Sequence, residues 1–287
     1  MDLAGLRSGA GLGESFSLAA GGYLDNPVPV TEFRLRYTSA YDDNRPDRAE
    51  FFYGKCGCFR LAGLDPHAPG PPLVETKLDY QDVSGYLEYA ASNRLSGFVE
   101  VPYRFLNPQV NANTNGLADM NAGFKFAAVA EPDQYLTFQF RTYIPTGDAE
   151  RGLGTDHVSL EPSLLFLKKF GERLSVQGQL EDWIPVGGTD FAGNVINYGI
   201  GASYDVYNNG CLRIAPVIEF VGWTVLGGKE LTQFGAIQDA SGETIVNGKF
   251  GLRFWYGQST FYAGYGHALT GTFWYKDIVR VEYGLHF

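Results

Sequence analysis

The sequence lacks any long apolar run. No stretch of about 18 apolar residues occurs in its 287 residues, so a transmembrane helix is excluded. A membrane protein built from strands stays possible, because a spanning β-strand needs only about 9–11 residues of alternating polarity. No segment shows a sustained helical period either. The chain is therefore predicted to be all-β, and its length suits one large β-domain.

Cysteine, histidine and positive charge are also scarce. Cys56, Cys58 and Cys211 give an odd count and no clear disulfide framework. No His/Cys/Asp cluster has the spacing of zinc ligands, so no metal or cofactor is expected. A net charge of −10 argues against nucleic acid as a partner. The N-terminus has no basic segment and no continuous apolar core, so an exported protein would already have lost its signal peptide.

Twelve segments alternate between apolar and polar residues with the period of a β-strand. Most are 10 to 14 residues long, which exceeds the usual 5–6 residues of globular strands and fits a tilted membrane crossing. The predicted strands are 31–39, 78–91, 95–106, 117–129, 135–145, 157–168, 173–185, 194–207, 211–224, 244–256, 259–268 and 274–287.

The connections between these strands alternate in length. Short turns rich in Asn, Gly, Asp and Pro follow the even-numbered strands, and longer polar segments follow most of the odd-numbered ones, beginning with a long outer loop at 40–77. This alternation is typical of outer-membrane barrels. The sequence thus predicts a closed antiparallel up-and-down transmembrane β-barrel over 31–287, in the bacterial outer membrane. Residues 1–30 are either a tail or a plug of the lumen, and a soluble barrel is the alternative.

Each predicted strand has one apolar face and one polar or charged face, as in Phe33, Leu35 and Tyr37 against Arg34 and Arg36. A charge facing lipid at mid-depth costs about 2–4 kcal/mol, so the charged face should line a narrow lumen. These charges either pair and stiffen the barrel or act as an electrostatic filter. The predicted lumen-lining and selectivity residues are Arg34, Arg36, Glu88, Glu100, Arg104, Lys125, Arg141, Glu161, Glu181, Arg213, Glu219, Lys249, Arg253, Arg280 and Glu282.

The last strand ends on an aromatic residue. Val279, Tyr283 and Phe287 share its apolar face, and Arg280 and Glu282 share the other. In an outer-membrane barrel such a terminal aromatic is what the barrel assembly machinery usually reads. Phe287 is therefore predicted to face lipid and to serve as the assembly signal.

No catalytic site is predicted. The four histidines, His67, His157, His267 and His286, do not combine with a serine and an acid on one face, and no GxSxG motif occurs. The CGC motif in the 40–77 loop is expected to be inert or locally cross-linked, with a soft-metal site as the other possibility.

Four segments between residues 116 and 174 carry a distinctive sequence pattern. A Gly-x-x-Asp strand leads to a lysine and an aromatic residue at Gly116, Asp119, Lys125 and Phe126, and the stretches YIPTGD (143–148), GLGTD (152–156) and EPSLLFLKKFGERL (161–174) follow. In this pattern the chain, over roughly 116–287, resembles the outer-membrane transporter family named for the MetA pathway of phenol degradation. The long first loop departs from that family. The resemblance implies an outer-membrane barrel that takes up small compounds, aromatic ones among them.

The leading functional hypothesis is a passive channel for small polar or aromatic solutes. The alternative is a structural or adhesive barrel with a plugged lumen, and a lipid-modifying barrel enzyme is the third and least favoured. The expected partners are outer-membrane lipid, the barrel assembly machinery and a small-molecule solute, and the oligomeric state is left open.

Overall fold

The computed structural model describes residues 22–44, 70–231 and 236–287. The long strands of the barrel are β1 (Glu32–Asp43), β2 (Leu78–Ala90), β3 (Leu95–Pro108), β5 (Met120–Glu131), β6 (Gln134–Ile144), β7 (Val158–Phe170), β8 (Leu174–Val186), β9 (Val195–Tyr204), β11 (Leu212–Val225), β14 (Thr244–Tyr256), β15 (Ser259–Ala268) and β16 (Asp277–His286). Four short strands are β4 (Thr114–Leu117), β10 (Tyr207–Asn208), β12 (Lys229–Leu231) and β13 (Ile237–Asp239). A 3-10 turn occupies Ala149–Arg151.

The long strands form a closed antiparallel barrel. Each pairs with its neighbours along the chain, and β1 pairs with β16 to close the ring, with Phe33 opposite Leu285 and Tyr37 opposite Val281. Within the described residues, each long strand therefore has two partners and the ring of long strands has no open edge, as a membrane barrel requires. The predicted twelve-stranded up-and-down barrel is confirmed. No helix in the described ranges is long and apolar enough to cross a membrane.

The two ends of the barrel differ in the length of their connections. At one end, here the short-turn end, two-residue turns such as 257–258 join adjacent strands, and Gly257 adopts a φ of 57° that favours glycine. At the other, the long-loop end, connections such as 145–157 and 226–243 are longer. Cys56, Cys58, His67 and most of the predicted 40–77 loop lie outside the described residues.

The apolar faces of the strands point away from the barrel axis. Phe33, Leu35, Phe138 and Phe250 are exposed on the outside, and the intervening polar residues are buried within. A soluble barrel has the opposite arrangement, with its apolar side chains inside. This outer belt matches the band that a transmembrane barrel presents to lipid.

Several strand limits differ from the prediction. β1 continues to Asp43, so residues 40–43 of the predicted loop belong to the wall. The predicted strand 117–129 is divided, because β4 ends at Leu117 and β5 begins at Met120. The carboxylate of Asp119, which lies in the gap, accepts hydrogen bonds from the backbone N–H groups of Gly147 and Thr155 (3.0 and 2.8 Å) in the next long loop. That contact draws the chain out of the sheet ladder.

Candidate functional site: the barrel lumen

The segment 22–31 lies inside the barrel, ahead of β1. The backbone N–H groups of Gly22, Tyr23 and Leu24 donate to the carboxylate of Glu219 on β11 at 2.9, 2.9 and 3.2 Å. Three donors on one carboxylate form a strong anchor, because hydrogen bonds to a charged group are about twice as strong as neutral ones. This end of the segment is thereby attached to the β11 wall.

The next residues of the segment are attached to other strands. The carboxylate of Asp25 accepts hydrogen bonds from Arg141 (2.5 Å) and Gln139 (2.6 Å) on β6. Val28 is buried against Ala127 of β5, among other apolar side chains.

The end of the segment nearest β1 reaches β2, where the Val30 N–H donates to Glu88 (3.3 Å). The segment therefore crosses the lumen from the β11 wall to the β2 wall. Of the two alternatives for residues 1–30, the described part of this range occupies the lumen, and residues 1–21 fall outside the described residues.

Toward the short-turn end, charged side chains pair closely. Lys125 Nζ lies 2.7 Å from the Glu88 carboxylate, and the Tyr86 hydroxyl donates to the same carboxylate at 2.5 Å. Both members of the pair are almost inaccessible, at 1% and 0% of their side-chain surfaces. Arg253 similarly lies 3.1 Å from Glu282. These pairs leave little free volume in this half.

A second group of pairs at this end involves the strand termini. Arg34 lies 3.1 Å from Glu32 and 3.6 Å from Glu282, and Arg213 lies 2.7 Å from Asp205. Buried charges of this kind are tolerated only when they are paired and hydrogen-bonded. This half of the lumen is therefore a charged but compensated interior.

Toward the long-loop end, the lumen contains a cavity of about 310 Å³. Arg36 on its wall bridges Glu282 and Glu100 at 3.0 and 3.4 Å. Arg104 makes a two-pronged contact with Asp82, at 2.8 Å for both oxygens. The cavity wall thus carries both signs of charge and several aromatic rings.

The structure places all fifteen predicted lumen residues inside the barrel, but in two groups. Those that line the cavity are Arg36, Glu100, Arg104, Arg141, Glu161, Glu181, Lys249 and Arg280. The others that the prediction named are Arg34, Glu88, Lys125, Arg213, Glu219, Arg253 and Glu282, and they lie mainly in the compensated interior or anchor the segment. Their assignment as selectivity residues stays a prediction.

Sequence reasoning missed several lumen groups. Asp82 shares the inward face of β2 with Glu88, so strict alternation along that strand was a sufficient signal. Tyr23 and Asp25 belong to a segment with no strand period, and no signal in the sequence marked them as lumen residues.

Some residues of the four segments that resemble the transporter family meet at the long-loop end. Asp119 contacts Gly147 of the PTGD stretch and Thr155 of the GTD stretch. Gly154 lies so close that a Cβ there would come within 2.3 Å of the Asp119 carboxylate. Lys125, the other polar motif residue, lies away from this cluster, paired with Glu88. The motif therefore ties two long loops together rather than forming a reactive centre.

The histidines in the described ranges occupy separate places. His157 Nδ1 lies 3.3 Å from the Ser159 hydroxyl, and its ring packs at 5.7 Å from Trp183. His267 Nδ1 lies 2.7 Å from Asp277 on the outer face of the barrel wall, where both side chains are partly exposed. His286 lies 3.5 Å from Glu32. Within the described residues, no group of His, Cys, Asp and Glu side chains has a metal-binding arrangement.

Two other predicted residues lie at the short-turn end. Phe287 is exposed, and its N–H donates to the Thr31 carbonyl (3.1 Å). Its role in assembly stays a prediction. Cys211 is exposed in the turn before β11 and forms no disulfide.

The sequence matches no family model, and it matches no curated protein. Its fold is similar to solved structures. An outer membrane channel from Pseudomonas putida F1 aligns with a TM-score of 0.59 at 15% identity, over 93% of this chain and 99% of that chain. The β domain of the Bordetella autotransporter BrkA gives 0.50 at 13% identity, over 90% and 100% of the two chains. The NanC porin gives 0.49 at 8% identity, over 88% and 98%. The likeness to the first two establishes a shared barrel fold.

Proposed function

We propose that this protein is an outer-membrane channel for small solutes, in which residues 22–31 form the constriction. The observation that carries the proposal is a charged, aromatic-lined cavity of about 310 Å³ inside a barrel whose outer surface is apolar. A structural barrel has no need of such a space. The fold shared with the outer membrane channel from Pseudomonas putida F1 supports the same conclusion.

The constriction is built so that it can move without unfolding the wall. Residues 22–30 belong to no strand of the sheet, so their displacement leaves the ladder hydrogen bonds between the strands intact. Their polar anchors are concentrated on Glu219 and on the contacts of Asp25. Solute that enters the cavity from the long-loop end passes when these anchors release. The cavity size and its mixed charge suit small polar or aromatic solutes.

The experiment compares wild type with Glu219→Gln in planar lipid bilayers. A neutral amide accepts the three N–H groups more weakly than a carboxylate, by about 1–2 kcal/mol in total. That difference changes the ratio of open to closed states by a factor of roughly 5–30. We expect brief openings from wild type and longer or more frequent ones from the variant.

The control is Glu75→Gln, because it changes the same chemistry elsewhere. The carboxylate of Glu75 also accepts backbone N–H groups, from Gln109 and Val110 at 3.0 and 3.1 Å, but it lies among the long loops. We expect the control to conduct like wild type. Absence of openings in wild type and in Glu219→Gln alike would contradict the channel.

The second candidate is a structural barrel with a permanently plugged lumen. The observation that favours it is the number of separate strands to which residues 22–31 are attached, from β11 through β6 to β2. A permanently plugged lumen predicts that vesicles containing Glu219→Gln or Glu75→Gln resist swelling in every small solute tested. Both candidate functions keep the expectation that the protein is not an enzyme.

A further inference from the structure

Two basic side chains on the cavity wall, Lys249 and Arg280, make their hydrogen bonds to neutral groups within the described residues. Lys249 Nζ donates to the Tyr275 hydroxyl at 2.9 Å and lies 4.0 Å from the centre of the Tyr23 ring. Arg280 donates to the Thr38 hydroxyl (3.2 Å) and to the Gly22 carbonyl (3.1 Å), and its guanidinium carbon lies 4.2 Å from the same Tyr23 ring. In the part of the chain that the structure describes, neither cation makes an ion pair with a carboxylate.

The other cations of the cavity differ in this respect. Arg36, Arg104 and Arg141 each lie within 3.0 Å of a carboxylate oxygen. Lys249 has a carboxylate opposite it in register, that of Glu219 on β11. That carboxylate accepts the N–H groups of residues 22–24 instead. The anchoring of the segment thus takes away the partner that Lys249 would otherwise have.

We infer that Lys249 and Arg280 form a binding subsite for a small organic monocarboxylate. The carboxylate group of the solute supplies the direct ion-pair partner that these two side chains lack. This inference rests on the proposed function, because the solute reaches the subsite through the cavity.

The side chains around Lys249 indicate the chemistry of the part of the solute next to its carboxylate. Tyr23, Trp223 and Tyr275 surround the Lys249 ammonium at 4.0 to 5.4 Å from their ring centres. These rings make the surroundings of the ammonium largely apolar and offer few donors for a strongly hydrated inorganic anion. A planar body next to the carboxylate therefore fits better than phosphate does.

The other side of the cavity limits the number of negative charges. Glu161 and Glu181 line the same cavity from β7 and β8, and in the closed ring β7 lies six strands away from β16. The Glu181 carboxylate accepts hydrogen bonds from Asn197 (2.5 Å) and Gln179 (3.0 Å), which are neutral donors. Glu161 shares the Arg141 guanidinium with Asp25 (2.8 and 2.5 Å), so carboxylates outnumber basic groups among these residues and a second carboxylate on the solute would face them. The subsite should therefore select monocarboxylates over dicarboxylates.

The test uses benzoate, its neutral analogue benzamide and the dianion terephthalate. Binding of each to the full-length protein in detergent is followed by ligand-observed NMR. Wild type should bind benzoate at least ten-fold more tightly than benzamide or terephthalate. Lys249→Gln and Arg280→Gln should each weaken benzoate binding at least ten-fold and leave benzamide binding unchanged.

The control is Lys168→Gln, which removes a positive charge from the short-turn end outside the lumen, where Lys168 pairs with Asp133. It should bind benzoate like wild type. If either test variant fails to fold, Lys249→Arg and Arg280→Lys keep the charge and should retain binding. Equal affinity of wild type for benzoate and benzamide, or unchanged benzoate binding in both Gln variants, would overturn the inference.

The two proposals can fail separately. A protein that conducts ions in bilayers but does not bind benzoate contradicts the subsite alone. A protein that binds benzoate through Lys249 and Arg280 but never conducts contradicts the channel alone and leaves a binding pocket.

Discussion

The two halves of the lumen accommodate their inward-facing charges in different ways. In the short-turn half, each buried cation meets a carboxylate at close range, as Lys125 meets Glu88, and the segment 22–31 fills the space above them. In the long-loop half, charged groups surround a cavity. Both halves are built on the same alternating strands, so the difference comes from what lies between the walls.

This comparison shows that strand pattern decides which residues face inward but not what they meet there. A charge in the short-turn half has exchanged water for fixed partners, and it depends on them completely. A charge beside the cavity retains room for water or a solute. Removal of one partner should therefore cost more in the short-turn half than in the long-loop half.

The largest effect is expected for Lys125→Met. It leaves the fully buried carboxylate of Glu88 without its cation, and breaking a buried ion pair in this way costs about 3–5 kcal/mol. The free energy of unfolding from urea titrations in lipid vesicles measures it. The control is the double variant Lys125→Met with Glu88→Leu, which removes both charges and should recover most of the loss. An equally unstable double variant would show that packing, rather than charge, is responsible.

A smaller effect is expected for Arg104→Met in the long-loop half. The Asp82 carboxylate loses two hydrogen bonds of 2.8 Å but borders the cavity, where water can replace the guanidinium. Each hydrogen bond to a charged group contributes about 1.5–3 kcal/mol, and water in the cavity should replace part of the two that are lost, so the net loss should be about that of one such bond. The same urea titration checks it. A loss as large as that of Lys125→Met would mean that the cavity is as dry as the other half, and the comparison between the halves would fail.

A third change tests the rim of the cavity. Asp119→Asn removes the charge and leaves an acceptor for only one of the Gly147 and Thr155 N–H groups, because these groups bond to different carboxylate oxygens. The expected loss in the free energy of unfolding is about 1 kcal/mol. Because the contact joins two long loops, protease sensitivity of 145–157 should rise while the strands stay protected. Unchanged proteolysis would contradict the role of Asp119 as a tie between these loops.

The sequence alone predicted the wall of the barrel well. Alternation placed Arg34, Arg104 and Glu282 in the lumen and Phe33 and Phe250 outside, because a strand of period two leaves each side chain only one choice of face. The division of the predicted strand 117–129 was not predicted, because Asp119 there bonds to residues 28 and 36 positions away.

The contents of the lumen were not predictable in this way. The bond between the Gly22 N–H and Glu219 joins residues 197 positions apart, and residues 22–31 have no period that reveals a face. The aromatic surroundings of Lys249 depend on Tyr23, which the segment brings into the cavity. Properties of this kind follow from tertiary placement and not from local pattern.

The smallest effect is expected at the Lys168–Asp133 pair, on the surface of the short-turn end. The hydrogen bond from Lys168 (2.5 Å) lowers the pKa of Asp133 below its ordinary value. A carboxyl group with a lowered folded-state pKa stabilises the fold above its ordinary pKa and loses that contribution as the pH falls through the lowered one. Exposed pairs are screened by water and salt, so Lys168→Met should leave the free energy of unfolding unchanged within error at pH 7. NMR titration should nevertheless show a higher pKa for Asp133 in the variant. Destabilisation comparable to that of Arg104→Met would show that this pair belongs with the buried charges and that the compensated interior extends to the end of the barrel.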